Sequence, residues 1–146
     1  MKFTIVQLDS LSEQELMNGV TALYQQIFET PRGLIEQLEG KPSWLAHVAL
    51  DGSSVVGFKL GYALSPNKFY SWLGGVDPKY RKQGVASALM NEQHRLLKDK
   101  GYKKVQTKTK NRWRNMLILN LKHGFDVIGT YTDSLGEPKI ILEKRL

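Results

Sequence analysis

The run Val76-Asp77-Pro78-Lys79-Tyr80-Arg81-Lys82-Gln83-Gly84-Val85-Ala86-Ser87-Ala88-Leu89-Met90 constrains the chain more than any other stretch. An apolar strand, Phe69–Val76, runs into a proline turn. A basic loop with one glycine follows, and then an amphipathic helix over Gly84–Lys100 that Gly101 stops. That order builds an anion site out of backbone. The first N–H groups of a helix have no partner within it, and the macrodipole adds partial positive charge there. A phosphate binds such a place readily. Gly84 and Ala86 keep the first turn bare, so a bulky pyrophosphate can approach the main chain. Arg81 and Lys82 put positive charge beside it. The run is neither a dinucleotide fingerprint, which needs three spaced glycines and a downstream acid, nor a Walker loop, which needs Gly-Lys-Ser/Thr.

The rest of the chain reads as strands and helices alternating around a sheet. Phe3–Leu8 is a first strand. Ser12-x-x-Glu15 predicts a capping box for a helix whose apolar positions are Leu16, Val20, Leu23, Ile27 and Phe28. Thr30 and Pro31 read as the cap and first position of a second, short helix carrying Leu34, Ile35 and Leu38. Trp44–Leu50 and Val55–Leu64 form a hairpin around Asp51-Gly52-Ser53-Ser54. In its second strand Val56, Phe58, Leu60 and Tyr62 share one face, and Gly57, Lys59, Gly61 and Ala63 the other. Lys104–Lys110 alternates as a strand with one wet face. Arg112–His123 reads as a helix ended by Gly124, with Trp113, Met116, Leu117 and Leu121 turned inward. Phe125–Thr132 and Lys139–Lys144 make a last hairpin. The expectation is a mixed α/β layer fold, a sheet covered by helices.

Composition narrows the function. With 146 residues, 41% hydrophobic and 24% charged, the chain reads as one globular domain, 1–146. It has no cysteine, which excludes disulfides, thiolate zinc sites and a cysteine nucleophile and fits a reducing, cytoplasmic setting. The apolar run Phe3–Val6 is too short for a signal peptide or a membrane span. His94 and His123 show no metal-ligand spacing, so no metal is expected. The net charge of +7 favours anionic partners, and Lys98, Lys100, Lys103, Lys104, Lys108, Lys110, Arg112 and Arg114 crowd into one region. A solvated face, a rim that attracts phosphates and a nucleic-acid surface are the three readings of that crowd.

Arg81-x-x-Gly84-x-Ala86, preceded by Val76-x-Pro78-x-Tyr80, resembles the acetyl-CoA pyrophosphate loop of the GNAT N-acetyltransferases. Met116-x-x-x-Asn120-x-x-x-Gly124-Phe125 resembles the helix that packs beside the thioester in that family. The specific likeness covers about residues 69–129, and the element order extends it loosely along the chain. It implies the GNAT fold: a central mixed, mostly antiparallel sheet with helices on both faces. It implies Val76, Arg81, Lys82, Gln83, Gly84, Val85, Ala86 and Ser87 as the cofactor-binding residues and acetyl-CoA as cosubstrate. An amine would attack the thioester directly, in a ternary complex. The carbonyl oxygen would be held by backbone N–H groups around Val76, where the family's strand splays open.

Two departures from the family pattern concern proton transfer. Many members carry at the Asn120 position a tyrosine proposed to protonate the leaving thiolate. An amide can only donate a hydrogen bond. Many also carry a glutamate on the strand equivalent to Phe69–Val76, which here has none. The acceptor amine, with a pKa of about 10.4 when free, must still lose its proton. Glu36, Glu39, His47 and a water chain are the candidate bases, with Glu36 carried as the catalytic one. Tyr70 and Trp72 are candidates to line an acceptor channel. The partners expected are therefore acetyl-CoA and an amine acceptor of unread identity, with neither nucleic acid nor membrane. The resemblance also allows a homodimer. The alternative is a CoA-binding module with weak or lost catalysis.

Overall fold

A computed structural model describes residues 2–29 and 32–146. Its elements run β1 (Thr4–Leu8), α1 (Gln14–Phe28), α2 (Leu34–Leu38), β2 (Leu45–Asp51), β3 (Ser54–Ser65), β4 (Lys68–Val76), α3 (Val85–Asp99), β5 (Lys104–Thr109), α4 (Arg114–Lys122), β6 (Asp126–Thr132) and β7 (Pro138–Arg145). The seven strands form one sheet in the order β1-β2-β3-β4-β5-β7-β6. Every neighbouring pair is antiparallel except β4 and β5, which run parallel. The crossover between them is α3, as a parallel connection requires.

The helices cover both faces. Met17, Val20, Leu23 and Tyr24 of α1 and Leu34 and Leu38 of α2 pack with Ala46, Val48, Phe58 and Leu60. On the other face Met90 and Leu97 of α3 meet Leu45, Phe69, Val105 and Leu142, with Leu117 and Leu119 of α4 against the same group. Glycine sets how closely α3 lies on the sheet. A Cβ on Gly57 would stand 2.9 Å from Val85 Cγ1 and 3.2 Å from Leu89 Cδ1.

Several expectations are corrected. The Ser12–Glu15 capping box does not form. Helix α1 starts at Gln14 behind Glu13, with no side-chain cap, and Ser12 Oγ instead shares a hydrogen bond with Ser10 Oγ at 2.8 Å. Thr30 and Pro31, read as the cap and start of α2, lie outside the described residues. The helix begins at Leu34 with Gly33 at its N-cap. Val56 does not share a face with Phe58. The register slips between Ala49 and Leu50, so Ala49 opposes Gly57, Leu50 opposes Val55, and Val56 is the extra residue. Such a bulge turns its side chain off the alternation, and Val56 packs with Ala49, Val85 and Leu89 on the α3 face.

Candidate active site

The decisive geometry is the join between β4 and β5. Their pairing covers only Lys68, Phe69 and Tyr70 against Lys104, Val105 and Gln106. Thr107 Oγ1 then donates to the Ser71 carbonyl at 2.9 Å, and the strands part. From there to Val76, β4 continues along β3 while β5 stays with β7 out to Thr109. The splay thus opens at Ser71, five residues before the Val76 position expected from the sequence. A second register slip falls at the same place. Leu60 opposes Leu73 and Gly61 opposes Ser71, leaving Trp72 as a bulge on β4. Backbone N–H and C=O groups on the splayed edge have no strand to pair with, as on any open sheet edge.

Past Val76 the chain enters the basic loop. Asp77 caps a 3-10 turn over Pro78–Tyr80 by accepting from the Lys79 N–H at 2.9 Å. Tyr80 donates its hydroxyl to Asp51 Oδ2 at 2.9 Å, tying the loop to the β2–β3 hairpin. Lys82 and Gly84 take left-handed backbone, φ +63° and +83°. Gly84 therefore does not begin the helix as the sequence suggested. It is the N-cap of α3, whose first ladder bond runs from Ala88 N to Gly84 O. The N–H groups of Val85, Ala86 and Ser87 precede that bond and stay outside the helical ladder. Arg81, Lys82, Gln83 and Gly84 are exposed around them. Gly84 is required by its φ, because a Cβ there would meet nothing within 4 Å.

Helix α4 follows β5. Its inward residues are Leu117, Leu119 and Asn120, with Met116 half-buried and Asn120 buried. Its carbonyl accepts from the N–H groups of His123 and Phe125, which end the helix. Trp113 and Leu121, expected to point inward, are 46% and 48% exposed. The helix starts at Arg114, not Arg112, so Trp113 is its N-cap and falls off the helical spacing. Its ring lies instead under the ammonium groups of Lys110 and Lys139. His123 Nε2 and Ser87 Oγ, 3.1 Å apart, link the end of α4 to the first turn of α3.

Beneath α3 sits a buried polar layer that the sequence reading passed over. His47, Gln93, His94 and Thr109 are all buried. Both ring nitrogens of His47, both amide atoms of Gln93, His94 Nε2 and Thr109 Oγ1 have no protein partner. Internal waters commonly satisfy such groups. Lys144 Nζ donates to His94 Nδ1 at 3.0 Å, which leaves the ring proton on Nε2. Desolvation first, then the nearby Lys144 and Lys59 charges, pushes His94 down to about 3. Desolvation alone brings Lys59 down to about 8. Lys59 opposes Gly74. A Cβ at Gly74 would meet the Lys59 stem at 3.8 Å, an ordinary contact, so the Lys59 side chain runs close over the β4 backbone. Alternation along β2 and β3 gave this layer away only as His47 and Lys59 on facing positions.

Of the candidate bases, His47 is buried beneath α3, with desolvation pushing it down to about 4. It is closed off from any acceptor in solution. Glu36 and Glu39 are exposed on and just after α2. Glu36 lies near Gly33 at the start of its own helix. Tyr70 and Trp72 lie at the splayed edge, one on each side of Ser71. Among the described residues no group of three or more His, Asp or Glu is placed to hold a metal. None of their helices is long and apolar enough to cross a membrane.

Solved structures of known proteins share this fold. The aminoglycoside 6'-acetyltransferase type Ii structure superposes with a TM-score of 0.85 at 18% identity, over 97% of this chain and 96% of that one. The ribosomal-protein-S18-alanine N-acetyltransferase of Escherichia coli gives 0.82 at 17%, over 99% and 94%. A GNAT family acetyltransferase from Elizabethkingia anophelis with acetyl-CoA bound gives 0.74 at 19%, over 99% and 98%. These likenesses establish the fold. No curated protein matches the chain in sequence. The family profile described as acetyltransferase (GNAT) domain matches residues 42–127, more than half of the chain and including β4, the loop and α3. The chain belongs to the GNAT acetyltransferase family, enzymes whose acetyl donor is acetyl-CoA.

Proposed function

We propose that this protein is an N-acetyltransferase that holds acetyl-CoA between β4, β5 and the start of α3, and that an amine attacks the thioester directly. One observation carries the reading. The only parallel join in the sheet is three residue pairs long, and the edge it frees leads to the bare N-terminus of α3. The pyrophosphate would lie on the N–H groups of Val85, Ala86 and Ser87, with Arg81, Lys82 and Gln83 around it and Gly84 supplying the turn. The pantetheine amides would pair with the free β4 edge between Ser71 and Val76. The thioester would then lie near the Trp72 bulge, where β4 backbone N–H groups would hold the developing oxyanion.

Asn120, buried on α4, would donate a hydrogen bond to the leaving thiolate without giving up a proton. No carboxylate stands on β4, and His47 is sealed. Deprotonation of the amine therefore falls to water or to the acceptor's own ionisation equilibrium, and activity should rise with pH until the acceptor is neutral. Glu36, exposed on α2, would act as base through a water. Calorimetric titration with CoA tests the donor half, and thiol release from acetyl-CoA over a panel of amines tests transfer. Tight binding with no release on any amine would instead favour a CoA-binding module with lost catalysis.

A further inference from the structure

On the sheet face opposite α3, four aromatic rings form a floor beside the splay. They are Tyr62 of β3, Tyr70 and Trp72 of β4, and Tyr131 of β6. The Tyr62 ring centroid lies 5.5 Å from that of Tyr70 and 5.8 Å from that of Trp72, both edge-on. Tyr70 is the last β4 residue paired with β5, so the floor begins where the strands part. Trp72 packs against the α1 and α2 side of the sheet, which fixes the face.

Two ammonium groups stand on this floor. Lys41 Nζ is 4.9 Å from the Tyr62 centroid and 5.0 Å from that of Trp72. Lys108 Nζ is 5.7 Å from the Tyr70 centroid and 5.3 Å from that of Tyr131. Neither makes an ion pair among the described residues. Lys68, Lys104, Lys110 and Lys139, on and around the same strands, each meet a carboxylate. The floor therefore presents two cations that are held by ring faces and make no ion pair among the described residues.

We infer that the acceptor is an amine carrying a carboxylate in the same molecule, which Lys41 and Lys108 hold while the amine reaches the splay. This rests on the acetyltransferase reading above. A polycationic acceptor would meet like charges on this floor. A carboxylate gains charge-assisted hydrogen bonds from lysines that have no ion-pair partner among the described residues. Two sources offer this chemistry: a free amino acid, and a peptide with Asp or Glu within its first residues.

The test measures thiol release with acetyl-CoA and matched acceptors. Free alanine and alaninamide, with and without the carboxylate, form one arm. Short peptides differing only by Glu or Lys at the second position form another, and kanamycin serves as the polycation. The inference expects the acidic member of each pair to be favoured in kcat/KM by roughly tenfold or more, the size of one charge-assisted contact. The alanine and peptide arms tell the two sources apart. K41A and K108A should remove the preference through acceptor KM, with kcat and acetyl-CoA KM nearly unchanged, while K41R and K108R keep it. K41E/K108E should turn the preference toward the lysine peptide. Equal rates across each pair, or preference for kanamycin, overturns the inference. So does an absence of both turnover and calorimetric binding of the acidic acceptors to protein saturated with CoA. Failure to bind CoA at all would overturn the acetyltransferase reading beneath it, and that is measured separately in the first titration.

Discussion

Lowering the pH from about 7.5 to about 5 protonates the histidines of the unfolded chain, with pKa near 6.5. It does not protonate His47 or His94 in the fold, because burial holds them at about 4 and about 3. Between those limits the unfolded state binds more protons than the native one, so stability falls as the pH falls. The stability is fully present above pH 6.5 and drains away toward the folded pKa values. Integrating over the window, each ring costs about 2 kcal/mol by pH 5, or about 4 kcal/mol together. That is a large share of the roughly 5–15 kcal/mol that holds a domain together. His123 is shifted the same way by partial burial and adds to the slope. Glu92, Asp133, Glu137 and Glu143 are all held below their ordinary values. Their losses come at lower pH, so the window isolates the histidines. Urea unfolding at a series of pH values measures the drop, and His47→Leu should cut it by about half. A stability unchanged within about 1 kcal/mol from pH 7.5 to 5 would refute the reasoning, since it would mean that the rings titrate alike in both states.

Other outcomes follow from the site and the packing. Gly84→Asp should abolish CoA binding in calorimetry. It places a carboxylate at the phosphate site and a side chain at φ +83°, a strain of about 1–2 kcal/mol; an unchanged affinity would remove the loop from the site. Thr107→Val removes the hydrogen bond at the mouth of the splay. It should cost about 1 kcal/mol in urea unfolding and raise the KM for acetyl-CoA. Asn120→Ala should lower kcat about tenfold with CoA affinity held, the size of one lost hydrogen bond to a charged sulfur. Gly61→Ala would put a methyl 2.3 Å from the Phe69 ring and 2.5 Å from the Tyr70 carbonyl. Overpacking of that kind costs about 1–3 kcal/mol or more, read as a lower urea midpoint.

The parts of this protein legible from sequence are those whose signal is local. The Val76–Met90 run carries its proline, glycine and helix in a fixed order, and the loop and α3 stand where that order puts them. The hairpins at Asp51–Ser54 and Asp133–Pro138 announce themselves through turn residues in the same way. What stayed hidden depends on contacts between distant segments. Val56 leaves its face because β2 and β3 pair with one residue to spare, and nothing in either strand alone shows the slip. Trp113 fits a helical stripe, yet the helix starts one residue after it and its ring takes up Lys110 and Lys139. Ser12 and Glu15 have the spacing of a capping box, but Ser12 bonds Ser10 instead. The aromatic floor draws on β3, β4 and β6, and only the sheet order brings Tyr131 near Tyr70 through Lys108.

The three-pair join of β4 to β5 has a mechanical meaning as well. It is a seam in the sheet. On one side lie four strands, β1 to β4, and on the other three, β5, β7 and β6. Each group is held by its own long antiparallel ladders. Across the seam run those pairs, the Thr107 bond, the bonds from Lys103 N and Lys104 N to the Asn67 carbonyl, the Lys68–Glu143 ion pair, Lys108 over Tyr70, and α3 with the side chains under it. A molecule lying in the gap and touching both lips would rivet the two plates together. Amide exchange should then slow on β4 and β5 at once, far beyond the residues it touches.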